Sequence, residues 1–534
     1  MNVRQHAPEC QAPLEAKPIH DQVRFEAHET GSVSNFMADA TAKFIGGQSR
    51  PVLHCGMTDS LQQRLDAQKI AAGHEPYPSL AARRNALSHL EAMLRVHGTA
   101  LQAAVHEDFG NRARPETILA EILPVLDAIA YGKARLSRWM RPKRARVGIR
   151  MLPGKAWIEI QPLGCIGIVS PWNYPILLSL LPVVDALAAG NRVMLKPSEQ
   201  TPACSALLDR LLTAAFDPAQ LCVVTGDADV GRRFCALPFD HLLFTGSTGV
   251  GRSVMQAAAA GLVPVTLELG GKSPVILDRD AVADAQSLRR TAHSLAVGKF
   301  FNAGQTCLAP DYVLTPRNRL DETAEALRDA AARLYPTVAD NPDYTSLISA
   351  AHYRRLQSLL ADAAPGCAAV LRHPEDRPEL QSHLDRQRKF PPTILCAPDM
   401  ASRVMEEEIF GPILPVIGYD DLDQAIAFVN ARPIPLAFYY YSNDPARQRL
   451  VVSRTRSGGV TLNGTLLHGA MPSLPFGGIG ASGTGIYHGH AGFLRFSHQR
   501  AIYRPGRFSG FTWMSPPHGS MTSRALALML RPRA

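Results

Sequence analysis

Apolar residues recur at helical spacing soon after the opening segment of the chain. Between residues 79 and 140 they fall on one face of a 3.6-residue period, as at Leu87, Leu90 and Leu94. This spacing predicts a set of amphipathic helices packed on a core. Residues 1–56 show no such period and are rich in polar residues and proline, so we expect a disordered extension there.

From residue 154 onward the pattern changes to short apolar runs that alternate with helical stretches. Because strands separated by helices build parallel sheets, this alternation predicts an α/β fold with a doubly wound, Rossmann-type sheet. A second α/β region should extend from about Gly270 to Gly459. The candidate strands are residues 164–170, 191–196, 221–225, 241–245, 312–315 and 413–417.

Length and composition are those of a globular protein with two or more domains. The chain has 534 residues, of which 46% are hydrophobic and 19% charged. Its longest apolar run, residues 175–184, is interrupted by proline and is much shorter than the roughly 20 residues of a membrane span. We therefore expect no transmembrane helix.

The positive charge is concentrated in two segments. The net charge is +9, yet residues 131–150 and 501–534 alone hold eight and five Lys/Arg, with no acid in either. Neither segment has the interleaved aromatics of a base-stacking surface, so nucleic-acid binding is not expected. A solvated or subunit-contact face is the favoured interpretation, and an anionic membrane surface is the alternative for the C-terminal segment.

The cysteines indicate a reducing compartment. There are nine, no Cys-x-x-Cys pair occurs, and the N-terminus lacks a signal-peptide pattern. This usage favours a cytoplasmic protein with reduced thiols and argues against thiolate metal sites.

A nucleophile and a base are suggested by two motifs, Phe301-Asn-Ala-Gly-Gln-Thr-Cys307 and Val265-Thr-Leu-Glu-Leu-Gly-Gly-Lys272. Cys307 follows a polar turn, where we expect an exposed thiolate stabilised by backbone N–H groups. Leucines flank Glu268, so desolvation should raise its pKa and make it a general base. A buried structural cysteine and a solvent-facing strand glutamate are the alternatives.

A glycine-rich turn follows the predicted strand 241–245. In Phe244-Thr-Gly-Ser-Thr-Gly-Val-Gly-Arg252, glycines between a strand and a helix would let backbone amides approach a phosphate. The order Gly-x-x-Gly-x-Gly is not the usual fingerprint, so a plain tight turn is the alternative.

Together with Pro171-Trp-Asn-Tyr-Pro175 and Met405-Glu-Glu-Glu-Ile-Phe-Gly-Pro412, these motifs resemble the NAD(P)-dependent aldehyde dehydrogenase superfamily over residues 57–534. The resemblance implies that Cys307 attacks the aldehyde and that Glu268 activates the water that hydrolyses the resulting thioester. It also implies an oxyanion hole made by Asn173 and the Cys307 amide. The cofactor-binding residues implied are Trp172, Lys196, Glu199, Gly246, Ser247, Gly249, Gly251, Glu408 and Phe410.

The resemblance places Lys196 and Glu199 on the adenine ribose and Glu408 on the nicotinamide ribose. Glu199 would repel a 2′-phosphate, which favours NAD while leaving NADP possible. Taken without the resemblance, Lys196 could be a solvated charge, Asn173 a turn former, and the segment around Glu408 an acidic turn.

Motifs in the last part of the chain resemble one branch of this superfamily. Residues 459–468, 473–480 and 485–498 resemble the class 3 branch, and the segments 139–142 and 302–312 resemble its bacterial coniferyl aldehyde dehydrogenases. The expected reaction is therefore coniferyl aldehyde to ferulate. Alternatives are fatty aldehyde oxidation, a CoA-acylating dehydrogenase and, last, a non-enzymatic role.

The same resemblance implies the domain organisation. We expect an NAD-binding domain over residues 57–269 with an oligomerisation hairpin near 147–162, and a catalytic domain over 270–460. Residues 461–534 should complete the cofactor domain and form an oligomerisation arm. The expected partners are a small aldehyde and a second copy of the chain in a homodimer, with no resident metal and no membrane. Tyr174 and Phe476 are candidates for the substrate funnel.

Overall fold

The computed structural model describes residues 60–148, 151–507 and 515–530. The extension predicted at residues 1–56 lies outside the described residues. The helices are α1 Leu61–His74, α2 Leu80–Phe109, α3 Arg114–Thr117, α4 Leu123–Trp139, α5 Leu177–Ala189, α6 Pro202–Ala215, α7 Ala228–Cys235, α8 Thr248–Ala260, α9 Ala285–Phe300, α10 Leu320–Leu334, α11 Ala350–Ala363, α12 Pro378–Gln387, α13 Arg403–Glu406, α14 Leu422–Asn430, α15 Pro445–Arg454, α16 Gly489–Arg495 and α17 Ser520–Met529.

The strands of the described residues form three sheets, in the orders β1-β2-β16, β15-β7-β6-β3-β4-β5 and β10-β11-β12-β9-β8-β13-β14. The strands are β1 Lys143–Ala145, β2 Lys155–Pro162, β3 Cys165–Val169, β4 Arg192–Lys196, β5 Leu221–Val223, β6 His241–Gly246, β7 Val265–Leu269, β8 Pro274–Leu277, β9 Tyr312–Pro316, β10 Ala369–Arg372, β11 Thr393–Cys396, β12 Ile413–Tyr419, β13 Ala437–Tyr441, β14 Gly459–Leu462, β15 Gly483–Thr484 and β16 Ser497–Arg504.

The sheet that contains β3 to β7 is the predicted Rossmann-type sheet. Strand β3 pairs in parallel with β4 and β6, β4 with β5, and β6 with β7. The α/β fold class is confirmed, and each predicted strand is found with its ends shifted by two residues at most. Strand β3 is apolar throughout because both of its faces are covered: residues 165–169 are all buried.

Helix α2 confirms the helical spacing read from the sequence. Leu87, Leu90, Leu94 and Leu101 are fully buried. The helix begins at the cap Ser79, whose side chain accepts from the Ala82 N–H at 3.1 Å. It packs on α5, which is buried on every side from residue 178 to 189 because α4 and α16 cover it as well.

The second large sheet has its own core. Strands β8, β9, β12, β11, β13 and β14 are parallel and β10 is an antiparallel edge strand. The candidate strands at 312–315 and 413–417 are confirmed as β9 and β12. The predicted domain boundaries remain predictions.

The small sheet includes the region of the expected hairpin. Its first strand, β1, lies at Lys143–Ala145, before the expected start at residue 147, and pairs antiparallel with β2. Strand β16 near the C-terminus pairs with the other edge of β2 over eight residues. Strand β16 pairs with β2 along its whole length, whereas β1 pairs only with residues 156–158 in the first half of β2. Within the described parts of the chain, no helix is both long and apolar enough to cross a membrane.

Candidate active site

A cavity of about 240 Å³ lies where the carboxyl ends of β6 and β7 meet segments of the second large sheet. Its wall combines residues that the sequence singled out with residues that it did not. The residues predicted for the site that line it are Trp172, Asn173, Gly246, Ser247, Glu268, Cys307, Glu408 and Phe410.

Cys307 stands at the end of a tightly constrained loop. Helix α9 ends at Phe300, and Asn302, Ala303 and Gly304 then all adopt positive φ, at 52°, 50° and 75°. Three such residues in succession are costly and persist only where surrounding contacts enforce them. A Cβ on Gly304 would lie 2.3 Å from the Gly411 carbonyl oxygen, so glycine is required there.

The side chain of Gln305 enforces the loop from inside. Its amide donates to the carbonyls of Asn302 at 3.0 Å and Ser346 at 3.1 Å, and its oxygen accepts from the Ile348 N–H at 3.0 Å. Gln305 is fully buried. The Cys307 loop is therefore fixed to the segment before α11.

The thiol of Cys307 differs from the expectation of an exposed thiolate. Its side chain is half-buried against the core and lines the cavity. Desolvation, and then the nearby charges of Glu408 and Glu268, raise its pKa to about 12, although the backbone N–H groups of Cys307 and Leu308 act in the opposite direction. The polar turn motif indicated exposure, but the tertiary packing buries the sulfur, so the free protein holds a thiol.

Glu268, on β7, does not face solvent. Its side chain is buried in the cavity wall, and neither carboxylate oxygen has a hydrogen-bond partner among the described residues. Desolvation raises the pKa of Glu268 well above its ordinary value, and the charge of Arg495 only partly opposes this. Such a carboxylate is able to accept a proton near neutral pH.

Asn173 is buried beside the Cys307 loop. Its Nδ2 donates to the Gln305 carbonyl at 3.2 Å. An amide NH₂ carries two hydrogens, so this bond leaves a second one for the cavity that Asn173 lines. The arrangement provides a fixed side-chain donor close to the sulfur-bearing loop.

At the other end of the cavity, helix α8 begins at the cap Ser247. The Ser247 side chain accepts from the Val250 N–H at 3.4 Å, and Gly246 and Ser247 line the wall. A Cβ on Gly246 would lie 2.5 Å from the Phe244 ring. Gly249 and Gly251 do not line this cavity, and a Cβ on Gly251 would lie 2.6 Å from the Leu269 side chain, so Gly251 serves close helix–strand packing.

Lys196 and Glu199 form an ion pair at the carboxyl end of β4. The Lys196 Nζ donates to Glu199 Oε2 at 2.8 Å, with the lysine side chain buried and the glutamate about 42% exposed. Partial burial acts to raise the pKa of Glu199, but the bond and charge of Lys196 outweigh it and hold the pKa below its ordinary value. The exposed carboxylate is free to accept from a ligand hydroxyl.

Glu408 and Phe410 close the cavity from the second sheet. The Glu408 carboxylate packs against Gly270 and accepts a hydrogen bond from the Gly271 N–H. A Cβ on Gly270 would lie only 2.1 Å from that carboxylate. Burial, followed by the charge of Asp311, raises the pKa of Glu408 to about 8. The Phe410 ring meets Trp172 edge to face with centroids 5.4 Å apart.

These residues fit a dinucleotide with two riboses and a pyrophosphate. The helix start at Ser247 offers backbone donors to an anion, and Gly246 leaves room for its close approach. Glu408 supplies a hydroxyl acceptor in the cavity, and Glu199, which does not line the cavity, supplies another at the carboxyl end of β4.

The sequence did not predict some residues of the cavity wall, and it assigned one residue to the wall that does not line it. Tyr487 lines the cavity with its hydroxyl buried and without a partner among the described residues, although the sequence singled out only its Gly-Ile-Tyr-His segment. His352 and Arg355, from α11, also line it. Phe476 does so as expected, but Tyr174 does not, because its hydroxyl binds Thr306 Oγ1 at 2.6 Å.

The histidines near the C-terminus are packed as rings. His488 stacks on Phe476 with centroids 4.9 Å apart, and His490 packs on Trp139. In the described part of the chain, no three His, Cys, Asp or Glu side chains are grouped to hold a metal ion.

Comparison with known proteins identifies the relatives of the chain. The model of the "Aldehyde dehydrogenase family" matches residues 66–502. A probable coniferyl aldehyde dehydrogenase of Pseudomonas aeruginosa is 46% identical over 462 residues, which are 86% of this chain and 94% of the relative. The coniferyl aldehyde dehydrogenase of Pseudomonas sp. strain HR199 is 44% identical over 447 residues, 83% of this chain and 90% of the relative.

The solved structures show the same relationship. The substrate-bound AldH of Staphylococcus aureus superposes with a TM-score of 0.80 at 33% identity, covering 89% of this chain and all of that one. A Mycobacterium tuberculosis aldehyde dehydrogenase complexed with NAD⁺ gives 0.73 at 26% identity, covering 83% and 90%.

Proposed function

The chain belongs to the aldehyde dehydrogenase family and oxidises aldehydes with NAD(P), and on this premise we propose which of its residues perform each step. Cys307 is the nucleophile. The cavity gives its sulfur access to an aldehyde carbon, and attack requires that the thiol first lose its proton. That proton passes to solvent, and the unpaired carboxylate of Glu268, in the same cavity, acts in the hydrolysis that follows.

Attack on the carbonyl places negative charge on the former aldehyde oxygen. Asn173 and the Cys307 N–H are the donors that stabilise it, and such a donor contributes on the order of 3 kcal/mol. Ser247, Glu199 and Glu408 would hold NAD(P), which would supply the acceptor for the hydride of the tetrahedral adduct. Glu268 then removes a proton from the water that hydrolyses the thioester.

One observation carries this proposal: a buried carboxylate without a hydrogen-bond partner, Glu268, shares a cavity with the thiol of Cys307. An unpaired buried carboxylate is costly and serves no packing purpose. A base that activates water for hydrolysis also argues against a CoA-acylating enzyme. If turnover required CoA, the enzyme would be of that CoA-acylating class.

The experiment compares Cys307→Ala, Glu268→Gln and the control Cys367→Ala, which removes another half-buried thiol. Cys307→Ala should abolish NADH formation. Glu268→Gln should give one turnover and accumulate an acyl-enzyme that intact-mass spectrometry detects. Cys367→Ala should retain normal activity, and a Cys307→Ala protein that did the same would remove the nucleophile assignment.

For the substrate, we propose coniferyl aldehyde, oxidised to ferulate. Support comes from the two coniferyl aldehyde dehydrogenases among the relatives and from the aromatic wall that Trp172, Phe410, Phe476 and Tyr487 build. A flat conjugated aldehyde has few rotors to immobilise and a large apolar face for such a wall.

A steady-state comparison of coniferyl aldehyde, benzaldehyde, hexanal and decanal, each with NAD and NADP, tests the substrate. The kcat/KM should be highest for coniferyl aldehyde with NAD. Decanal outperforming it severalfold would favour the fatty-aldehyde alternative and leave the dehydrogenase mechanism intact.

The working unit we propose is a cytoplasmic homodimer joined at the small sheet. Its supports are the exposed outer strands of that sheet and the exposed side chains of Met151, Leu152 and Tyr503 beside it. Apolar side chains grouped at an open sheet edge are typical of subunit contacts.

A further inference from the structure

A buried cluster of charge contacts both loops of the proposed oxyanion hole. Arg112, Glu116 and Glu121 are 1%, 7% and 0% exposed. The Arg112 Nε lies 3.7 Å from Glu116 Oε2, and its Nη2 lies 3.7 Å from Glu121 Oε1. Apolar side chains of the same volume would stabilise the fold as well or better, so stability does not account for this cluster.

The cluster holds the loop of Asn173 at two points. Arg112 Nη1 donates to the backbone carbonyl of Asn173 at 3.1 Å. Glu121 Oε2 accepts from the N–H groups of Ile176 and Leu177 at 2.7 and 3.3 Å. The backbone on both sides of the turn is therefore fixed where α5 begins.

The same cluster holds the loop of Cys307. Both Glu116 oxygens lie 3.2 Å from the Asn302 N–H, and Oε2 also accepts from Thr345 Oγ1 at 2.8 Å. Asn302 is the first of the successive positive-φ residues, and its Nδ2 donates to the Asn173 carbonyl at 3.1 Å. The backbone carbonyl of Asn173 thus accepts hydrogen bonds both from Arg112 and from Asn302 in the cysteine loop.

We propose that Arg112, with Glu116 and Glu121, is a positioning residue that sets the Asn173 amide relative to Cys307. The inference rests on the proposed role of Asn173 in binding the oxyanion. Arginine is needed because its rigid planar fork meets a carbonyl and two carboxylates in three directions, whereas a lysine ammonium is a single point charge. Small displacements in such a donor set reduce turnover strongly.

A double-mutant cycle in the full-length protein tests the inference. Arg112→Lys, Asn173→Ala and the double variant are compared for kcat, KM for NAD and melting temperature. Arg83→Lys is the matched control, because Arg83 is equally buried and binds the carbonyls of Ala188 and Ala189, outside the two loops. It should lower the melting temperature and leave kcat within about twofold.

Arg112→Lys should lower kcat about 10-fold or more with KM for NAD unchanged, and it should lower kcat no further in the Asn173→Ala background. An equal loss in both backgrounds, or an Arg112→Lys protein with normal kcat, would overturn the inference. If Arg112→Lys does not fold, Glu116→Gln enters the same cycle, since it keeps the volume and removes the charge.

The cycle also separates this inference from the proposed function. If Asn173→Ala alone retains normal kcat, the oxyanion assignment fails and the positioning role fails with it. If Asn173→Ala is impaired and Arg112→Lys is additive, only the positioning role is wrong.

Discussion

Burial disfavours the charged forms of three ionisable groups in the cavity. Desolvation raises the pKa of Cys307 to about 12 and that of Glu408 to about 8, and it raises the pKa of Glu268 well above its ordinary value. The low-dielectric surroundings disfavour the anion of each group, and neighbouring acids add to this at Cys307 and Glu408. The free enzyme therefore holds the proposed nucleophile, Cys307, as a thiol.

This protonation state predicts the pH dependence of thiol alkylation. A group with a raised pKa stays protonated until the pH approaches that pKa. Inactivation of the cofactor-free protein by iodoacetamide should therefore keep accelerating between about pH 7 and pH 10 without a plateau. In Glu268→Gln, one of the charges that raise the thiol pKa is gone, so alkylation should be faster wherever Glu268 is ionised in the parent. A plateau near neutral pH would contradict the raised pKa.

We expect the cofactor preference to depend on the carboxylate of Glu199. Replacing Glu199 by Gln should improve the ratio of kcat/KM for NADP over NAD by roughly five- to tenfold, because about 1 kcal/mol of like-charge repulsion is removed. Glu322→Gln is the control, since Glu322 is an exposed acid on α10 in the second α/β region that pairs with Arg319. A similar gain in that variant would show an effect of net charge rather than of the ribose site.

At the scale of elements, the loop before Cys307 is determined by contacts from distant parts of the chain. Gly304 lies against Gly411, and the Gln305 side chain reaches the carbonyl of Ser346. Local sequence does not favour left-handed backbone at Asn302 and Ala303 together, so these tertiary contacts must enforce it.

A substitution in this loop should be costly. In Gly304→Ala, the φ of 75° and the 2.3 Å approach to the Gly411 oxygen predict a loss of about 2–4 kcal/mol in unfolding free energy and a strongly reduced kcat. Gly73→Ala is the matched control on α1, because nothing lies within 4 Å of its added Cβ. That variant should be neutral or stabilised by up to about 1 kcal/mol. Denaturant unfolding and steady-state kinetics measure both, and a Gly304→Ala enzyme as stable as the control would contradict the account.

Periodicity and motifs predicted the strands of the cofactor sheet and helix α2, because burial and local spacing determine them directly. The motifs also indicated eight residues that meet at the cavity. They did not predict that Tyr174 binds Thr306, that burial raises the pKa of Cys307, or that Arg112 reaches Asn173. These facts depend on pairings between distant segments, for which one sequence has no local signal.

At the scale of the whole molecule, the small sheet has little cover. Strand β1 is exposed throughout and β16 along most of its length, while the side chains of Leu152 and Tyr503 are exposed beside them. An open, partly apolar edge of this kind exposes a lone chain to uncontrolled association. In a two-fold symmetric dimer, one interface would cover this edge on both subunits.

Charge placed on this surface should separate the subunits. Leu152→Asp is expected to shift the protein from dimer to monomer in sedimentation velocity, because an unpaired carboxylate would be buried in the contact. Leu262→Asp is the control, since Leu262 is about 90% exposed in the turn after α8. An unchanged dimer in Leu152→Asp would place the contact elsewhere, and a monomeric parent protein would exclude it.

The pairing of β15 with β7 has a consequence for biosynthesis. Gly483 lies opposite Glu268 in that antiparallel pair, and a Cβ there would lie 2.3 Å from the Leu267 carbonyl oxygen. The strand that carries Glu268 is synthesised about halfway along the chain, and its edge is covered only after residues 483–484 have been made. Because domains fold as the chain emerges, the cofactor sheet can form first while this edge stays open. A message truncated shortly before codon 483 should thus yield a nearly full-length product that chaperones retain and that never turns over substrate.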